Sequence, residues 1–220
     1  MDPGQGRPGG TKGQPEISRV RICSLLAGLA AAFCCAAVQA AGEHERRLAA
    51  EVVVMAGDVR RLMAGEGGPL EREGLVKRLN GALSSLPLLL RRASENPKPV
   101  AAMRDSLARR DWRALSAALA ALKQRHPFDA RMLLAADPTP EMISLGASIH
   151  RTTCAGCHEA PAGDSLLPAK NLAVQIKSIP REEFAARLLL GVRGDRTASW
   201  VNPFDAPELA ALIAFYSISR

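Results

Sequence analysis

Aromatic residues are scarce in this chain, 4% of 220 positions. No stretch of useful length alternates apolar with polar residues, and β-branched runs are few. Without a period of two there is no strand to propose, and the abundance of Ala, Leu and Arg favours helices. No basic run is interleaved with aromatics, which argues against a nucleic-acid partner. Cysteine is almost missing beyond residue 40: of five in the chain, only Cys154 and Cys157 remain.

Charge is missing from residues 22–41, ICSLLAGLAAAFCCAAVQAA. The polar, Gly/Pro-rich opening before them carries Arg7, Lys12, Arg19 and Arg21. A basic n-region, an uncharged stretch, and small residues at Val38 and Ala40 read as a secretory signal peptide over 1–40, and hence as export to the periplasm. The competing reading is an uncleaved membrane anchor, since twenty uncharged residues just span a bilayer; membrane contact is expected only in that case. The Ala-rich, weakly apolar end favours cleavage. Cys34 and Cys35 lack a preceding Leu-small-small pattern, so no lipid anchor is expected.

From residue 41 to 138 the chain carries 17 basic and 12 acidic residues, whereas 139–220 carries eight of each. The basic excess of the first part can guide docking to an acidic partner, although scattered arginines also serve as the solvated faces of helices.

Leu48, Val52, Met55, Val59 and Leu62 recur at helical spacing, with Arg46, Arg47, Arg60 and Arg61 mainly outside the stripe. Gly65, Gly67, Gly68 and Pro69 end that helix. Val76, Leu79, Leu83, Leu86 and Leu90 repeat the pattern, and Pro87 is expected to kink or stop the helix near Ser85. After Asn96-Pro97-Lys98-Pro99 a short helix carries Val100, Met103 and Leu107. Asp111 is the expected N-cap of another, with Trp112, Leu115, Leu119 and Leu122 on one face. Four such helices make an amphipathic bundle over 41–136, its methionines serving as core filler. Asp137-Pro138-Thr139-Pro140 is the expected linker. Beyond it a helix through Met142, Leu145 and Ile149 enters the cysteine pair. A loop-like stretch follows to about Ser178, then helices through Phe184 and Leu188 and, from about Pro207, through Leu209, Leu212, Ile213 and Tyr216. The expected fold class is all-α.

Cys154-Ala155-Gly156-Cys157-His158 is the attachment signature of c-type haem. Each thiol adds across one vinyl group, so two sulfurs one helical turn apart reach neighbouring edges of one porphyrin, and the next histidine faces the iron. The competing readings fit less well. A disulfide between Cys154 and Cys157 is compatible with export, a thioredoxin-like pair needs a βαβ setting, and zinc needs four ligands. One covalent haem c through two thioethers is expected, with Cys154 and Cys157 binding the cofactor and His158 ligating the iron.

On these residues the segment 139–220 resembles a class I cytochrome c. GASIHRTTCAGCH carries that family's glycine, here Gly146, eight residues before the first cysteine; LPAKNLA is similar to its proline loop; ELAALIAFY is similar to its terminal helix. The resemblance implies a small helical haem domain. It casts the Pro168 carbonyl as acceptor of the His158 N–H and Phe215 as the aromatic that packs over Gly146. His150 departs from the family, standing where an aromatic is usual. The segment before 138 resembles nothing identified.

The family's methionine, which binds iron from the far side, is missing. GVRGDRTASWVNPFDAPE contains none, and neither Met nor His occurs after His158. The matching position falls on Val201 or Trp200, neither of which can bind iron. Three alternatives stand: an open or water-bound sixth position; a residue from elsewhere in the chain, namely Lys170, Lys177, Met142, Met132 or His150; or completion by a partner. The resemblance implies electron transfer with redox partner proteins rather than catalysis. The alternatives are a small-ligand-binding or sensing haem protein, for which Arg193 and Arg196 would attract anions, and a haem subunit of a larger redox complex. Oligomeric state stays open.

Overall fold

A long central helix, α1, occupies residues 42–64 and is buried along nearly its whole middle. The computed structural model describes residues 42–159, 166–191 and 202–219. The proposed signal peptide, Arg193, Arg196, Trp200 and Val201 lie outside them. After α1 come α2 (Pro69–Arg92), α3 (Pro99–Ala108), α4 (Trp112–Arg125), α5 (Pro140–Ile149), a π-helical turn (His150–Cys154), α6 (Ala155–His158), α7 (Leu172–Ser178), α8 (Arg181–Leu190) and α9 (Ala206–Ile218). Among the described residues there is no strand, so the all-α expectation holds. All of them belong to one compact unit, Ala41–Arg220.

Two apolar clusters share α1. Leu48, Val52, Met55 and Val59, the expected stripe, pack with Leu79, Leu83, Leu86, Met103, Leu115 and Leu119 from α2, α3 and α4. The opposite side, through Ala49, Ala50, Val53 and Val54, packs with Phe128, Phe184, Leu209, Leu212 and Tyr216. Periodicity finds the first face only, because alanines and valines between the stripe positions look neutral until a second layer covers them.

Pro87 does not break α2, which runs unbroken through it. A proline has no N–H for the carbonyl four residues back, here that of Leu83. Arg104 from α3 replaces that donor, its Nη2 lying 3.1 Å from the Leu83 carbonyl oxygen. The expected cap at Asp111 holds, its side chain accepting from the Ala114 N–H at 3.0 Å; Thr139, within the expected linker, caps α5 by accepting from the Met142 N–H at 3.3 Å. Helix α7 stands where the sequence suggests a loop. Asn171, whose side chain accepts from the Val174 N–H at 3.2 Å, and Leu172 and Ile176, buried four residues apart, are its signals in the sequence.

A buried charge knot joins α1 and α2 to α8. Asp58 is fully buried, and Glu183 is 2% exposed. Asp58 pairs with Arg61, Arg78 and Arg187. Glu183 accepts from Arg60 at 2.8 Å, Arg61 at 2.9 Å and Arg187 at 2.8 Å. Arg61 is therefore half-buried against α8 rather than solvated. Burial pushes the Glu183 carboxyl up, but Arg187 and Arg61 outweigh it and hold it below the ordinary carboxylate range. Burial, reinforced by Arg187, lowers Arg61. Gly57 makes room for this: a Cβ there would sit 2.2 Å from the Glu183 carboxyl carbon. The sequence held one clue. Glu51 and Asp58 stand three residues after Leu48 and Met55, on the apolar stripe.

Candidate functional site

The close crossing of α5 and α9 fixes where the Cys-x-x-Cys-His segment begins. At Gly146 a Cβ would lie 2.1 Å from the Ala211 carbonyl oxygen and 2.9 Å from Phe215 Cβ. Phe215 thus lies beside Gly146, as the resemblance implied, while the backbone of Ala211 makes the closer approach. Only a glycine lets two helix backbones meet this tightly.

Beyond the crossing, α5 passes into the π-helical turn His150–Cys154 and then into α6. A π-turn inserts a residue into the helical register and is frequent at functional sites. It ends at Cys154, which is half-buried, and Cys157 is exposed one turn later; both are free thiols. Burial pushes the Cys154 thiol above its ordinary value, partly offset by a hydrogen bond from Tyr216.

His158 follows at the end of α6, its Nδ1 2.6 Å from the Lys170 carbonyl oxygen. A carbonyl only accepts, so Nδ1 carries a proton, and in the neutral ring the lone pair is then on Nε2, the tautomer of an imidazole metal ligand. The acceptor is Lys170, not Pro168 as the resemblance implied. The Lys170 carbonyl directly precedes the Asn171 cap of α7, so this short helix sets which carbonyl in the loop is presented.

This loop is also tied to α2. Lys170 Nζ lies 3.1 Å from Glu71 Oε1, and Leu167 is the nearest side chain to Gly74. Glu71 Oε2 accepts from the Gly68 N–H at 2.9 Å. That backbone hydrogen bond, followed by Lys170, draws the Glu71 carboxyl below its ordinary value.

His150 is a packed histidine. It is 4% exposed, with Nδ1 2.8 Å from the Tyr216 hydroxyl and Nε2 2.8 Å from Glu159 Oε1. Of the other internal candidates for a sixth ligand, Lys170 holds Glu71, Lys177 donates to the Ser219 carbonyl at 2.6 Å, and Met132 is 75% exposed. Met142 on α5 is half-buried.

The donor set fits a c-type haem: two free thiols at the right spacing and a histidine whose tautomer is set by a backbone acceptor. Among the described residues no group of three or more His, Cys, Asp or Glu is arranged to hold a metal ion by itself. None of their helices is long and apolar enough to cross a membrane. No protein-family profile, curated protein or solved structure matches this chain.

Sequence reading missed the polar partners of this region. Glu159 follows the motif directly, and Tyr216 is the chain's single tyrosine, but their meeting with His150 depends on the α5–α9 crossing.

Proposed function

We propose that this chain is an exported monohaem c-type cytochrome that carries electrons between partner proteins. The observation that carries this reading is the Cys154-x-x-Cys157-His158 segment, with both thiols free and His158 held at 2.6 Å by the Lys170 carbonyl. When bound, the haem supplies a one-electron ferric–ferrous couple. The chain's own residues anchor and orient it. Cys154 and Cys157 hold it covalently, so it is not lost by dilution. The Lys170 carbonyl fixes the His158 ring and raises its basicity. The α5–α9 crossing at Gly146 sets the direction from which the motif leaves the helix. The basic excess of residues 41–138 supports docking to acidic redox partners.

The test is to mature the protein with a haem c attachment system and examine it after denaturation. Haem that stays with the polypeptide through denaturation supports the reading; a colourless chain overturns it.

A second reading is favoured by one feature: no methionine or histidine follows His158, and His150, Lys170 and Lys177 have their side-chain donors engaged. An open sixth position would bind a small ligand. Ferric and ferrous absorption spectra separate the two. A low-spin spectrum belongs to a carrier with a sixth ligand; a high-spin spectrum that shifts with carbon monoxide belongs to a ligand-binding protein.

A further inference from the structure

The segment that carries the haem motif has little apolar packing of its own. Of residues 150–159 only His150 is buried, at 4% exposure. Cys154 packs against the edge of the second core, but beyond it helix α6 buries none of its four residues. A helix shorter than about 12 residues is marginal without tertiary packing. Polar ties must therefore hold the end that bears His158.

His150 supplies one of them. Its Nε2 lies 2.8 Å from Glu159 Oε1, and its Nδ1 lies 2.8 Å from the Tyr216 hydroxyl on α9. A carboxylate only accepts, so Nε2 carries a proton; in the neutral ring Nδ1 then accepts from the Tyr216 O–H. Glu159 is the residue after His158. The bond from His150 thus spans the whole haem segment and closes it into a loop, both ends of which are anchored on one buried ring. That ring is itself held. Tyr216 meets it edge-on at 5.3 Å between centroids, and Phe215 lies at 5.4 Å. A hydrocarbon ring would fill the same space but would join neither partner.

We propose that His150 is a positioning residue for the iron ligand: by holding Glu159 it fixes the end of α6, and with it the His158 ring on the Lys170 carbonyl. The proposal rests on the haem-attachment reading for the use made of His158, but the tie is a property of the chain without haem. Backbone hydrogen bonds continue it along the segment. The Ala155 N–H donates to the His150 carbonyl across the π-helical turn, and the Glu159 N–H donates to the Ala155 carbonyl at 2.9 Å. His158 then meets the Lys170 carbonyl at 2.6 Å. Because the Glu159 side chain is 59% exposed, water competes for the tie, and its effect falls at the low end for a hydrogen bond to a charged group.

The first test follows amide hydrogen exchange in the full chain without haem, each rate taken relative to an unstructured chain of the same sequence. Glu159→Ala alters only an exposed side chain, and His150→Phe keeps a ring between Phe215 and Tyr216. In both, the amide of residue 159 should exchange on the order of tenfold faster, while the amides of α4 keep their rates. Glu159→Gln retains an acceptor oxygen at the same reach and should keep most of the protection. The double variant should exchange no faster than either single one, since both remove the same bond. Unchanged protection at residue 159 in the two single variants, or fully additive losses, overturns the tie.

The second test reads the ring nitrogens of His158 by NMR in mild alkali, where the neutral tautomers are seen. The unsubstituted chain should hold the Nδ1–H form, and both single variants should drift towards the Nε2–H form that a free histidine prefers. A lower stability alone would leave the tautomer ratio of the folded chain where it was. A ratio unmoved in both variants overturns the positioning role. If the unsubstituted chain attaches no covalent haem, the haem reading fails instead, and these two measurements still judge the tie.

Discussion

The core around α2, α3 and α4 and the core around α5 to α9 are lined by the same central helix but bury different chemistry. The first holds only aliphatic side chains among its buried members, Leu, Val, Met and Ala. The second mixes Phe128, Phe184 and Tyr216 into its aliphatic lining and has buried His150 hydrogen-bonded at its edge. Aliphatic packing is non-directional and gives stability without fixing the position of any polar atom. Aromatic edges and hydrogen bonds fix positions, as a site that must present two thiols and an imidazole requires.

The largest effect expected of any variant is on the second core. Changing both Cys154 and Cys157 to Ala should abolish covalent haem altogether, leaving no haem on the polypeptide after denaturation. The helices of the aliphatic core should keep their far-ultraviolet circular dichroism, and its loss would erase the distinction between the two regions.

Next comes the knot that binds α1 and α2 to α8. Asp58→Ala leaves Arg61, Arg78 and Arg187 without their shared carboxylate, and breaking a buried pair costs about 3–5 kcal/mol. Because these arginines retain some exposure to water, up to 23% for Arg187, the lower end is expected in urea unfolding. The same knot predicts a pH dependence. The Glu183 carboxyl titrates lower in the folded chain than its ordinary value of about 4.3 in the unfolded one. Its contribution to stability is therefore complete above that ordinary value and disappears as pH falls through the folded-state value. Glu183→Gln should flatten the acid limb of the stability curve, and an unchanged limb would assign acid sensitivity to other groups.

Gly146→Ala should lower stability by about 1–3 kcal/mol, the usual range for overpacking, because the new methyl meets the Ala211 carbonyl. The strain falls on the crossing that precedes the motif, so haem incorporation should fall with the unfolding midpoint.

The smallest effect belongs to the aliphatic core. Arg104→Met removes the donor to the Leu83 carbonyl and should cost about 1 kcal/mol. In a Pro87→Ala background the helix supplies its own N–H to that carbonyl, and the penalty should shrink. Equal penalties in both backgrounds would show that Arg104 does not act through the proline.

Much of the aliphatic core is legible from residue spacing. Leu48, Val52, Met55 and Val59 on α1, and Leu79, Leu83 and Leu86 on α2, follow the helical period, and all are buried as that period implies. The stop that Pro87 suggests does not occur, and the arginine that meets the freed carbonyl lies on another helix. Helix α7 escapes periodicity because seven residues hold too few turns for a period to register.

The sequence by itself determined the helical class, the stripe on α1, the cap at Asp111 and the Cys154-x-x-Cys157-His158 motif. Each is a local property, set within a few residues by backbone sterics, side-chain periodicity or ligand spacing. Tertiary structure alone decided that Lys170 rather than Pro168 meets His158, that half-buried Arg61 pairs with Asp58 and Glu183, and that His150 is hydrogen-bonded to Tyr216 and Glu159. Those pairings join residues from 9 to 122 positions apart, except Arg61 with Asp58. A hydrogen bond recognises only what lies within about 3 Å of it, and sequence proximity says nothing about which distant side chain a helix crossing will bring there.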